Sequence, residues 1–395
     1  MNIRAVVPLD SDSLIRSATT STGLSDFGTT EWEEPLHVLT HALDEEAQLN
    51  LVGRIRTRSE LLQLLEARLQ IENAYHLHPE IEQEVIKQPL IIVGQSRSGT
   101  SLLHNILWQD PAHGVLKHWE EVFPCPPPEA ATYLTDPRIE RAHQLVTQCN
   151  RITPTMASMH EFAAQLPMEC CVVLGMSFMS QSWFDSMGQV PTYDAFLAHR
   201  DLTPAYEYHR RVLKLLQWRN PRKRWVLKDP THLDRIEALL AVYPDALTVW
   251  PHRDPSVAMS SVVSLLGTVQ WGRTDYPFNN SSFEFVLDPF AAARRLEVFI
   301  DKIDRGIVPA DQLFNVTYTN LVRDPLGAVK ALYAHFSLEL TAEAIAAMDR
   351  YLTTHPRDAR PMHAKSRASS EELAADQAAF AKYRKYFQIE PEGND

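Results

Sequence analysis

Short apolar runs and longer helical patterns alternate along most of this chain. PLIIVG, residues 89–94, is an apolar run that stops at a glycine and predicts a buried strand. RWVLK (224–228), ALTVW (246–250) and LFNVTY (313–318) predict three more. Helical spacing follows each of those three: through Leu233, Ile236, Leu239 and Leu240, from about Pro255 to Leu266, and from about Pro325 to Phe336. Strands alternating with helices imply the α/β class, a parallel central sheet flanked by helices, with ligands bound at the carboxyl ends of the strands. Upstream, Leu36 to about Tyr75 has helical spacing, with Leu61, Leu65 and Leu69 on one face and Leu62 beside them, and Pro79 and Pro89 bracket a connector. Residues 1 to about 34 are polar and Ser/Thr-rich with no clear period, so an irregular arm is expected. The long stretch between the first two predicted strands is rich in helical pattern and holds the Pro-rich turn FPCPPPE at 123–129. It reads as a substrate cap. The expected organisation is an N-terminal arm and helical extension (1–84) before one α/β domain (85–390), with a helical cap insertion at about 120–220.

Composition narrows the class of function. A chain of 395 residues with 45% hydrophobic and 22% charged residues can bury a large core and is not disordered. The net charge of −12 argues against a nucleic-acid binder, yet leaves room for one small basic pocket. Cys125, Cys149, Cys170 and Cys171 fit neither a disulfide framework nor a CxxC metal site, which points to a reducing compartment. The N-terminal MNIRAVVPLDSDS does not read as a signal peptide, and no apolar run approaches the ~18 residues of a membrane span. A soluble cytoplasmic enzyme is expected.

The chemistry begins after the first predicted strand, in IIVGQSRSGTSLLHNIL. Gly94 and Gly99 allow close backbone approach, and loop amides at a helix N-terminus make an anion cradle. Ser98, Thr100 and Ser101 add hydroxyls, and Arg97 offers a charged fork for phosphate oxygens. The spacing is that of a G-x-x-x-x-G-K-[ST] loop, except that Thr100 stands at the lysine position and the cation has moved to Arg97. A P-loop kinase or NTPase acting on a small molecule is the alternative reading; it would lose the lysine that reaches the outer phosphates.

QSRSGTSLLHNIL resembles the 5′-phosphosulfate loop of sulfotransferases that use 3′-phosphoadenosine-5′-phosphosulfate (PAPS), closest to the bacterial branch whose loop reads P-R-S-G-T-[ST]. Gln95 and Ser96 replace a small residue and proline of that pattern. HRDPSVAMSS strengthens the resemblance: the family holds the donor's 3′-phosphate with an arginine and a serine eight residues on, here Arg253 and Ser261, with Ser260 adjacent. VLKDPTHL places Lys228 where many members carry a lysine touching the sulfuryl group. VTYTNLVRDP resembles a segment near the adenine, where Tyr318 matches and Thr319 and Asn320 replace an acidic pair. HPRDARPMHAKS (355–366) resembles a basic closing segment, with Pro361 at a common glycine position and Arg357 and Arg360 beside it. The resemblance implies a P-loop-NTPase-like sulfotransferase fold, PAPS as donor, and Arg97, Ser98, Gly99, Thr100, Ser101, Arg253, Ser261 and Tyr318 as donor-binding residues; because a sulfuryl group carries less charge than a γ-phosphoryl, no metal is expected.

Sulfuryl transfer needs cations on the leaving phosphate and the sulfuryl oxygens, and a base for the acceptor hydroxyl. Arg97 and the loop amides suit the first need and Lys228 the second. Glu120, in KHWEEVFP, lies at the distance from the loop at which carbohydrate sulfotransferases place a carboxylate base, with Glu121 adjacent. His160 and His232 are the imidazole alternatives, near neutrality without perturbation. Against these stand ordinary structural uses: a cap or salt bridge for Glu120, a core side chain for His160, a strand-end hydrogen bond for His232. Six of the ten methionines fall between Met156 and Met187, interleaved with Phe162, Phe178, Trp183, Phe184 and Tyr193. Core packing accounts for such a stretch, and an adaptable surface for an apolar small-molecule or glycolipid acceptor accounts for it too.

Overall fold

The computed structural model describes residues 2–155, 162–276, 288–356 and 370–392. By its internal contacts the chain forms two compact units. One comprises Lys87–Val115, Lys223–Leu265 and Phe283–Asp395 and carries the sheet; the other comprises Met1–Ile86, Leu116–Arg222 and Leu266–Ser282 and is built mainly of helices.

The sheet has five parallel strands: β1 (Leu90–Ile92), β2 (His113–Gly114), β3 (Arg224–Lys228), β4 (Leu247–His252) and β5 (Leu313–Thr317), in the order β2-β3-β1-β4-β5. This is the parallel α/β sheet that the alternating pattern predicts. The four apolar runs became β1, β3, β4 and β5. β2 is only two residues long and offers no period to read. Leu90 is level with Val226 on one side and Leu247 on the other, so β1 is the central strand. Leu90, Ile92, Val226, Val249 and Val316 meet Leu103 and Leu107 of the helix Thr100–Leu107, and Leu332 of the helix Pro325–His335, on one face. On the other face Trp250 packs against Phe299 of the helix Pro289–Asp304 and Phe387 of the helix Ala381–Phe387. Burial on both faces explains why the strands read as continuous apolar runs without alternation.

β4 runs two residues past the predicted end at Trp250, through Pro251 and His252. A proline inside a central strand is unusual because it cannot donate to the ladder. Here the amide of Val93 donates to the carbonyl of Val249 at 2.9 Å. The next rung of a parallel ladder would run from the amide of residue 251 to the carbonyl of Val93, and Pro251 has no amide. The β1–β4 pairing therefore stops chemically at Val93, one residue before Gly94.

In the helical unit, the expected irregular arm is instead helical over Ser11–Thr22. Asp10 caps it by accepting from the Ser13 amide, Gly23 closes it in the left-handed conformation (φ +70°), and Leu14 and Ala18 bury one face. Three buried positions on a polar helix are too few to register as a period. The predicted helical stretch from Leu36 to Tyr75 is two helices, Glu33–Glu45 and Leu51–Leu77, the second capped by Asn50. The methionines and aromatics at Met168, Met176, Phe178, Met179, Phe184, Met187 and Tyr193 are all buried; Phe178 stacks on Phe184, and Phe184 meets Tyr193 edge-on. All four cysteines carry free thiols. Among the described residues no helix is long and apolar enough to cross a membrane.

His252 ties the helix Ala381–Phe387 to the end of β4. Its Nδ1 meets the Tyr383 hydroxyl at 2.7 Å, its Nε2 meets Asn315 Oδ1 at 2.8 Å, and its ring stacks on Phe387. Burial pushes its pKa down to about 3. The unfolded chain takes up a proton at about pH 6.5 that the folded protein refuses, so this histidine's stabilisation is complete above that pH and is lost as pH falls toward 3. Urea unfolding from pH 7 to pH 4 should show wild type losing about 1.4 kcal/mol per pH unit relative to His252→Gln below pH 6.5. Parallel curves for the two proteins would refute the assignment.

Candidate functional site

Because all five strands run the same way, the segments that follow β1, β3, β4 and β5 gather at one end of the sheet, where the chain crosses from one side of β1 to the other. The loop after β1 is shaped by three positive-φ residues: Gly94 (+115°), Arg97 (+70°) and Gly99 (+97°). A Cβ at Gly94 would lie 2.4 Å from Cδ1 of Trp250, and one at Gly99 would lie 3.0 Å from Cδ2 of Tyr318. Gly94 excludes a side chain by space as well as by conformation, and Gly99, whose backbone is equally restrictive, leaves only a tight fit against Tyr318. Gly99 is the N-cap of the helix Thr100–Leu107 and has no side chain with which to cap it. The first amides of that helix therefore face the loop as a set of oriented donors.

The predicted loop hydroxyls fall into different roles. Ser98 is fully buried and its Oγ donates to the carbonyl of Gln95 at 2.7 Å, so it closes the turn. Thr100 is buried at the start of the helix. Ser101 is exposed and its Oγ accepts from Nζ of Lys228 at 3.0 Å. Lys228 is the last residue of β3 and is itself buried, so a charged ammonium is delivered from the neighbouring strand to the first turn of the loop's helix. His232 follows on the same segment and is buried, in the 3-10 turn Pro230–Leu233 that Asp229 caps by accepting from the Thr231 amide.

Arg253 leaves the end of β4. Its Nη1 donates to the carbonyl of Arg97 at 3.1 Å, and its guanidinium lies 4.1 Å from the centre of the Tyr318 ring. Its Nε and Nη2 hold the carboxylate of Glu392 in a two-pronged pair, both at 2.8 Å. Burial opposes the charge, but the Glu392 carboxylate more than offsets it, and the pKa of Arg253 is raised. Tyr318, at the start of the helix Tyr318–Arg323, thus fills the space between Gly99 and Arg253. Asp254, the sequence neighbour of Arg253, pairs with Arg384 at 2.6 Å. Nothing in the local sequence marks Glu392: its partner is distant in the chain, and only the fold shows the pair. Ser261 is on the helix Pro255–Trp271, and its side chain, with that of Ser260, lies outside the described positions. His160, Arg357 and Arg360 lie outside the described residues altogether.

Glu120 belongs to the helical unit. It is fully buried, one carboxylate oxygen accepting from the Lys117 amide at 3.1 Å and the other from Nη2 of Arg222. Arg222 is likewise buried; desolvation works against its charge, and Glu120 with Tyr133 raises its pKa regardless. Glu121 is also buried and meets Nδ1 of His118 at 2.8 Å. The carboxylate singled out by its spacing from the loop is therefore a helix cap and half of a buried ion pair.

A model of the sulfotransferase family matches residues 89–342, which span all five strands. The chain belongs to the sulfotransferase family. Among solved structures, this sulfotransferase is 34% identical to sulfotransferase STF1 from Mycobacterium tuberculosis H37Rv, with a TM-score of 0.78 over 95% of this chain and 98% of that one. It is 29% identical to sulfotransferase STF9 from Mycobacterium avium, with a TM-score of 0.85 over 98% of each chain. The omega-hydroxy-beta-dihydromenaquinone-9 sulfotransferase Stf3 of Mycobacterium bovis is 25% identical over 283 residues, 69% of each chain. The enzyme's activity is thus sulfuryl transfer.

Two glycines separate conformational strain from crowding. Gly306 also has a positive φ, +71°, but open space around a built Cβ. Gly306→Ala should cost about 1–2 kcal/mol for the left-handed backbone alone. Gly94→Ala should cost about 1–3 kcal/mol more, because its φ of +115° lies beyond the left-handed helical well and the methyl must displace the Trp250 indole. Urea melts of the two variants measure the difference directly.

Proposed function

We propose that this sulfotransferase takes its sulfuryl group from PAPS and transfers it by in-line displacement to a hydroxyl of an apolar, lipid-type acceptor. The Lys228–Ser101 contact carries the proposal. A nucleoside-triphosphate loop would place its lysine at Thr100; here the ammonium comes from β3 and stands at the mouth of the same loop. The residues present suit a nucleotide phosphosulfate: the loop has two positions that a Cβ would fill, a helix start without a side-chain cap, and two cations converging on it from β3 and β4. The donor, when bound, supplies a sulfuryl group already joined to a phosphate leaving group.

In this reading the amides of Gly99, Thr100 and Ser101 hold the 5′-phosphate, with Arg97 beside them and Ser98 keeping the turn closed. Lys228 offsets charge on the bridging and sulfuryl oxygens, where it grows as the bond to the leaving phosphate lengthens. Arg253 and Ser261 hold the 3′-phosphate, and the Tyr318 ring backs the guanidinium. For the base, the geometry favours His232 over Glu120. His232 is four residues past Lys228 on the same strand-end segment, whereas both oxygens of Glu120 are engaged in its own unit. The acceptor reading rests on the relative named for an omega-hydroxy-dihydromenaquinone, because Met168, Met176, Met179 and Met187, the described methionines of the Met-rich stretch, are buried.

Thermal unfolding with 3′-phosphoadenosine-5′-phosphate, ADP and Mg-ATP in parallel tests the donor. A hundredfold excess over Kd should add about 2.7 kcal/mol with the 3′-phosphorylated nucleotide alone. A shift with Mg-ATP only would replace this reading with the kinase one. In turnover assays Lys228→Ala should lower kcat roughly 10²- to 10³-fold. His232→Ala should lower kcat roughly 10²- to 10⁴-fold with donor affinity unchanged. Glu120→Gln should instead cost about 3–5 kcal/mol of stability, since it leaves Arg222 buried without a countercharge. A stable but inactive Glu120→Gln enzyme would return the base to Glu120. Turnover of charged oligosaccharides, with hydroxylated apolar lipids refused, would overturn the acceptor class.

A further inference from the structure

The carboxylate of Glu392 occupies the forked face of Arg253, the face that a phosphate would take. This is not a chance meeting of two long side chains, because the segment carrying Glu392 is fixed by contacts that do not involve Arg253. The helix Ala381–Phe387 is docked on β4 through Tyr383, Phe387 and His252. Gln388, in the left-handed conformation at φ +54°, closes that helix and turns the chain back, with the Ile389 amide donating to the carbonyl of Arg384 at 2.9 Å. The Glu392 amide then donates to Oδ2 of Asp254 at 2.9 Å. Asp254 is buried, and its other oxygen accepts from Nη2 of Arg384 and from the amide and hydroxyl of Ser256. Backbone and helix together therefore set a carboxylate on the arginine.

We propose that Glu392 is an autoinhibitory contact, a built-in anion that the donor's 3′-phosphate must displace from Arg253. This rests on the PAPS reading and deepens it. The carboxylate presents two oxygens and a single charge to the fork; a 3′-phosphate presents more oxygens and up to two charges, and so competes for the same donors. A nucleotide with a free 3′-hydroxyl has nothing with which to displace the carboxylate and leaves the pair closed. Glu392 therefore weakens the binding of a 3′-phosphorylated nucleotide, which must open the pair, and leaves that of a 3′-hydroxyl nucleotide unchanged. Between ligands, Glu392 holds the guanidinium against Tyr318 and the Arg97 carbonyl, in the pose that serves the phosphate.

The test is calorimetric titration of wild type, Glu392→Gln, Arg253→Ala and the double variant with 3′-phosphoadenosine-5′-phosphate and with ADP. Glu392 is partly exposed, and unfolding temperatures without nucleotide verify that each variant is folded. Glu392→Gln should bind the 3′-phosphorylated nucleotide roughly five- to tenfold tighter, the factor recovered when a competing occupant that fills the site most of the time is removed. ADP affinity should not change, and in the Arg253→Ala background the gain should vanish. An unchanged or weaker Kd in Glu392→Gln, or an equal gain for ADP, overturns the inference while leaving the donor reading intact. If the wild-type protein and Glu392→Gln both ignore the 3′-phosphorylated nucleotide, the donor reading falls and this inference with it.

Discussion

Between the end of β1 and the ring of Trp250 there is no room for a side chain. The loop at the heart of this sulfotransferase passes over β4 at Gly94, close enough that a single added carbon would meet the indole. The indole cannot yield, because Phe299 and Phe387 pack against it and His252 lies beside it. Close-packed interiors transmit such pressure rather than absorb it. The path of the loop, the placing of the Arg97 carbonyl within reach of Arg253, and the entry of the helix Thr100–Leu107 beneath Tyr318 all follow from that crossing.

The charges around the loop show how a strongly acidic chain assembles a basic site. Lys228 and Arg253 come from the ends of two strands that flank β1, so the sheet itself aims them, and neither depends on the loop for its position. Elsewhere the same chain spends its arginines on structure. Arg222 neutralises a buried Glu120, and Arg68 donates to the carbonyls of Phe27, Thr29 and Met176 in the core of the helical unit. Guanidinium groups suit that work because several donors on one plane can satisfy several acceptors at once.

The sheet was legible because its strands are buried on both faces and stand out as apolar runs bounded by glycine, proline or charge. The loop was legible because Gly94 and Gly99 answer a backbone need that no other residue meets. What stayed hidden was whatever depends on distance in sequence. A cap or salt bridge was a visible alternative for Glu120, but its partner Arg222, about a hundred residues away in the chain, was not. Arg253 was recognisable as a phosphate-binding candidate, but its carboxylate partner near the far end of the chain was not. Periodicity failed for a different reason at Ser11–Thr22, where capping by Asp10 and Gly23 does what a hydrophobic stripe does in longer helices.

Pro251 acts as a ruler. Two parallel strands lengthen their pairing wherever amides and carbonyls continue to match, and a loop that begins at a strand end can be drawn into the sheet one rung at a time. Here the rung after Val93 cannot form, because the residue that would donate it has a ring in place of its hydrogen. The point at which the chain leaves the sheet is thus written into a neighbouring strand and not into the loop itself. Residues of the loop such as Gln95 and Ser96 therefore do not set where it starts.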